Sequence, residues 1–111
     1  MKALQIEIDG KEYTLGYFTR KDVKLAEKKG LRITKMEDET VTQTDKLFYT
    51  GLLAKHPEIT EEEAEKLEQK FVEQEGDLSE IIQFLVGQFA NFIQSQNGKK
   101  TKKKITKIVE L

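Results

Sequence analysis

Leu4-Gln5-Ile6-Glu7-Ile8-Asp9-Gly10-Lys11-Glu12-Tyr13-Thr14-Leu15 is the stretch whose reading decides the fold class. Asp9-Gly10 is a strong two-residue turn signal, because a type I′ turn needs positive φ at both central positions. Folding about that turn sets Ile8 opposite Lys11, Ile6 opposite Tyr13 and Leu4 opposite Leu15. The apolar residues then share one face of the ribbon, and Gln5, Glu7, Glu12 and Thr14 share the other, so register and polarity agree. A lone two-stranded ribbon is marginal in water. Its apolar face therefore needs helices, and the rest of the chain supplies them.

Working outward, Phe18-Thr19-Arg20-Lys21-Asp22-Val23 opens the first helix. Thr19 caps it, Asp22 holds the capping-box position and Phe18 staples onto Val23. Gly30 is placed to end it in a left-handed conformation. Leu31 to Met36 fits either a short strand or a helical turn, and Glu37 to Thr44 reads as a polar loop. A second helix is expected over Thr44 to Lys55. Val41, Phe48, Tyr49, Leu52 and Leu53 fall on one broad face, with Leu47 and Ala54 nearly opposite, as in a helix that is central or touches a partner. His56-Pro57 ends it, since the residue before proline resists helix. Thr60-Glu61-Glu62-Glu63 starts a third helix as a capping box with acid in the first turn. That helix runs to about Glu73 with Ala64, Leu67 and Phe71 inward. After Gly76-Asp77 comes the clearest element, Leu78 to Gln96, with Leu78, Ile81, Ile82, Leu85, Phe89, Phe92 and Ile93 at helical spacing. Leu85 and Phe89 lie mid-stripe and are both expected to be buried. The expected fold is α+β and α-dominated, an N-terminal hairpin packed on about four helices.

Charge divides the chain more sharply than structure does. Residues 1–98 carry 13 Lys and Arg against 19 Asp and Glu, whereas residues 99–111 carry six Lys against one Glu. The expectation is one compact acidic domain over residues 1–98 and a flexible Lys-rich tail over 99–111, of the kind used for interaction. The longest apolar runs fall well short of a membrane span. The apolar run at the N-terminus breaks too early for a signal peptide. Absence of cysteine excludes disulfides and thiol chemistry and fits a reducing cytoplasm.

Catalysis is poorly supplied. His56 is the only histidine and reads as a loop residue whose change to Gln leaves stability nearly unaltered. Glu61, Glu62 and Glu63 cannot converge on one metal ion, because consecutive helical residues point in different directions. The seven glycines are scattered and form no phosphate loop. No catalytic, cofactor or metal residue is assigned. Lys102, Lys103 and Lys104 could neutralise phosphates, yet the tail has neither Arg nor aromatic residues for specific recognition. Phe84 stands about 60° outside the main stripe of the last helix at 100° per residue. Leu47 and Phe84, with Lys102, Lys103 and Lys104, are the candidate partner-binding residues.

The segment Phe48-Tyr49-Thr50-Gly51-Leu52-Leu53-Ala54-Lys55-His56-Pro57-Glu58-Ile59-Thr60-Glu61-Glu62-Glu63-Ala64 resembles the middle of the tail assembly chaperones of long-tailed phages and prophages of Gram-positive bacteria. In that family a helix ends in a basic Leu-x-x-His-Pro corner, followed by Ile-Thr and an acidic helix. Leu52, Leu53, Lys55, His56, Pro57, Ile59, Thr60 and Glu63 match. The hairpin with its Asp-Gly turn, the Phe-Thr-x-x-Asp helix start and the hydrophobic last helix are similar in layout. The resemblance implies a non-enzymatic cytoplasmic protein that binds the long helical tape measure protein during tail assembly, with no cofactor. The major tail protein and a second copy of the chain are further candidate partners, and no membrane is involved. Two alternatives stand beside it: a nucleic-acid-binding accessory protein using the Lys-rich tail, and an unrelated cytoplasmic adaptor.

Overall fold

Asp9 and Gly10 sit at φ 53° and 79°, the paired positive values a type I′ turn requires. The computed structural model describes residues 3–96. The two strands, β1 (Leu4–Ile8) and β2 (Lys11–Leu15), pair antiparallel. Leu4 lies opposite Leu15, Ile6 opposite Tyr13 and Ile8 opposite Lys11, the register set by the two-residue turn. Ile6, Ile8, Tyr13 and Leu15 are buried on one face, while Gln5, Glu7 and Glu12 are exposed on the other.

Helix α1 (Arg20–Lys28) begins where the cap chemistry places it. The Thr19 hydroxyl donates to the Asp22 carboxylate at 2.8 Å, and its oxygen accepts from the Asp22 N–H at 3.2 Å. The helix closes in a Schellman motif at Gly30, φ 105°. Gly30 N–H donates to the Glu27 carbonyl and Leu31 N–H to the Ala26 carbonyl, which satisfies carbonyls the helix end would strand. Leu31 to Met36 resolves as a helical turn, a 3₁₀ segment over Ile33–Lys35.

Helix α2 (Thr40–Leu53) starts four residues before the Thr44 expected, inside the segment read as a polar loop. No side chain caps it. Gln43 holds it there instead. Its buried amide donates to the Gly30 carbonyl at 3.1 Å and accepts from the Arg32 N–H at 2.6 Å. One side chain thus satisfies two backbone polar groups of the α1–α2 connection. Every residue from Leu47 to Leu53 is buried. A helix covered all round must be central, and α2 touches β2, α1, α3 and α4. Two expectations about this helix are corrected. Val41 is 74% exposed, not part of the buried face, and Leu47 is 0% exposed, so it offers no free surface.

Helices α3 (Glu61–Glu73) and α4 (Leu78–Gln96) pack on α2 and on each other. Thr60 and Glu63 form the expected capping box. Ala64 and Phe71 are buried and Leu67 is half-buried. In α4 the centre of burial is Ile81 and Leu85, and Phe89 is half-buried, contrary to expectation. The observed architecture is the helix-dominated α+β fold expected. Lys102, Lys103, Lys104 and the rest of the Lys-rich tail lie outside the described residues.

Candidate functional site

The corner that carries the family resemblance is structural. Leu52 accepts from both Lys55 N–H and His56 N–H, which tightens the last turn of α2 and frees the Gly51 carbonyl. That carbonyl accepts from Gly16 N–H at 3.0 Å. Two residues back along the same strand edge, Thr14 N–H donates to Nε2 of His56 at 3.1 Å. The His56 ring also lies against Tyr13, 5.3 Å between centroids. His56 therefore fastens the helix corner to the outer edge of β2. It is a structural acceptor rather than the indifferent loop residue the sequence suggested. The same pair of bonds closes a strand edge that would otherwise invite pairing.

Phe84 is half-buried and belongs to this joint. A Cβ at Gly16 would stand 2.6 Å from Cε2 of Phe84, and one at Gly51 would stand 2.9 Å from Cδ2 of Leu85. Gly16 and Gly51 let the hairpin, α2 and α4 approach closely. Phe84 is accordingly a packing residue at the end of β2. The structure does not bring Leu47 and Phe84 together on one accessible face, because Leu47 is in the core.

The partly exposed apolar surface of α4 lies on its other flank. Its apolar residues run from Val86 round to Phe84, an arc of about 200° at 100° per residue, about twice the width of an ordinary buried stripe. The core takes the middle of that arc, Ile81 and Leu85. On one flank Ile82, Val86, Phe89 and Ile93 remain half-buried, at spacings i, i+4, i+7 and i+11. Phe89 meets Phe18 edge-on, 5.5 Å between centroids. Beside this ridge a groove is lined by Leu31, Ile33, Phe89 and Ile93, with Glu27 and Arg32 at its rim. The sequence reading placed Ile82, Phe89 and Ile93 in the apolar stripe and passed over Val86. The signal that separates them is the excess width of the arc.

A second surface lies across the molecule between the start of α2, the end of α3 and the start of α4. It is an open groove of about 430 Å³ lined by Val41, Asp45, Glu65, Glu68, Val72 and Glu73, with Leu78 at its base. Glu68 is 6% exposed. Burial first, then its hydrogen bond to Asp45 and the charges of Asp45 and Glu65, push its carboxyl up to about 8. Its Oε1 meets no donor among the described residues. Sequence reading missed Glu68, since a Glu in an acidic helix carries no mark of burial.

Glu61 and Glu63 are accounted for without a metal. Glu61 pairs with Lys46 at 3.1 Å and Lys29 at 3.8 Å, tying three helices at the surface. Glu63 serves the capping box. Among the described residues no group of three or more His, Asp or Glu could hold a metal ion, and no helix is long and apolar enough to cross a membrane.

No curated protein and no solved structure matches the chain. The family described as Domain of unknown function (DUF5055) matches residues 1–109, nearly the whole length, and the chain belongs to that family.

Proposed function

We propose that this protein is a non-enzymatic tail assembly chaperone of a long-tailed phage or prophage, acting in the cytoplasm of the bacterial host on the tape measure protein. The reading rests on the resemblance at the His56-Pro57 corner. The observation that carries it in the structure is the half-buried ridge Ile82, Val86, Phe89 and Ile93 on α4. A tape measure chain is long and helical and exposes apolar stripes that aggregate. A ridge at i, i+4, i+7 and i+11 presents apolar side chains over about 17 Å of helix, at 1.5 Å per residue, the form in which an amphipathic helix is recognised. The acidic body keeps the complex soluble. The major tail protein and self-association are secondary partners in this reading.

The experiment is co-expression with the cognate tape measure protein, followed by pull-down of the soluble fraction. The wild-type protein should hold that client in solution. Val86→Asp and Ile93→Asp should release it while the chaperone stays folded by circular dichroism. Because the contact is apolar, the complex should persist at moderate salt. A wild-type protein that neither binds nor solubilises the client would overturn the proposal.

A further inference from the structure

The acidic groove between α2 and α3 has no function in the reading above, and it has unusual chemistry. Val41 and Val72 are exposed, at 74% and 48%, and flank it with apolar surface. Asp45, Glu65, Glu68 and Glu73 line it with no Lys or Arg among them. At its wall Glu68 is almost wholly buried, with one carboxyl oxygen unmet by any donor among the described residues. A buried acceptor left open is costly unless a donor arrives. The site calls for a group that is cationic at its tip and accompanied by aliphatic side chains.

The chain itself carries such a segment. Residues 99–111 contain six Lys against one Glu, with Ile105, Ile108, Val109 and Leu111 interleaved. The chain can also reach. Leu78 lines the groove, and α4 carries the chain about 27 Å away from it at 1.5 Å per residue. Eight extended residues past Gln96 recover about 26 Å, which returns Lys104 and Ile105 to the level of the groove.

We infer that residues 104–109 of this chain dock in the α2–α3 groove, with Ile105 and Ile108 between Val41 and Val72 and the ammonium of Lys104 or Lys107 on the Asp45–Glu68 pair. The proton that the isolated pair retains is displaced when the ammonium arrives. The docked segment closes the open acceptor and covers two exposed valines.

The chain has no cysteine, so a single nitroxide can be placed by a Gln69→Cys change at the groove and read in the full-length protein by amide NMR. The expected result is that Ile105, Ile108 and Val109 lose most of their signal intensity relative to the reduced label, together with residues near Val41 that serve as the internal control. The loss should disappear with Lys104→Glu and Lys107→Glu combined, and also with Asp45→Asn and Glu68→Gln combined. Full intensity at residues 105–109 while the control residues broaden would overturn the inference. So would broadening that survives the charge reversals. Broadening of residues 105–109 in a mixture with label and isotope on separate copies would assign the segment to a second molecule and also overturn it.

Discussion

Leu85 is the residue on which α4 turns into core. It is 0% exposed and touches the point where Gly51 lets α2 come close. Leu85→Ala should cost about 3–4 kcal/mol, the transfer and cavity terms together, read as a shift in denaturant midpoint. Phe89→Ala should cost clearly less, because Phe89 is half-buried; equal losses would contradict the burial assigned here. His56→Ala removes the acceptor of Thr14 N–H and should cost about 1–2 kcal/mol by the same measurement. Glu68 predicts a pH dependence. Its folded pKa, about 8, lies above the ordinary 4.5, so the stability of its neutral form is complete below about 4.5 and is lost as pH rises through 8. With the docked segment detached by Lys104→Glu and Lys107→Glu, Glu68→Gln should therefore stabilise the protein by about 1–3 kcal/mol at pH 9 and leave it unchanged at pH 4. At this scale the apolar core was readable, since Ile81 and Leu85 announce themselves by spacing. Gln43, His56 and Glu68 were not, because what each does depends on a partner 11 or more positions away or on a burial that polarity conceals.

Elements were legible where local chemistry dictates them. The Asp-Gly turn, the Thr19 and Thr60 caps and the Gly30 terminus act within a few residues, and each boundary they predict is observed. The start of α2 was not legible, because Gln43 fixes it by binding a segment from another element. Gly87 tests the same logic in α4. A Cβ there would meet nothing within 4 Å among the described residues, and a mid-helix glycine costs roughly 0.5–1 kcal/mol relative to alanine. Gly87→Ala should raise stability by about that amount in thermal melts. The same change at Gly16, with φ 97° and Phe84 against it, should lower stability instead.

Across the whole molecule, α2 is enclosed by the hairpin and three other helices, and that enclosure decides which apolar residues remain for a partner. Leu47 looked available because it faces away from the other apolar residues of its helix, but a central helix has no outward face. The ridge on α4 keeps partial exposure because its apolar arc is wider than the core it meets. Under the proposed function, Ile82, Val86, Phe89 and Ile93 form the client-binding surface. Methyl NMR of the protein with and without the cognate tape measure protein tests it most directly. The methyl groups of Ile82, Val86 and Ile93 should shift or broaden on binding, while those of Ile6, Ile8 and Leu52 in the core hold their positions. Binding that leaves the α4 methyl groups unmoved and perturbs another face would contradict it.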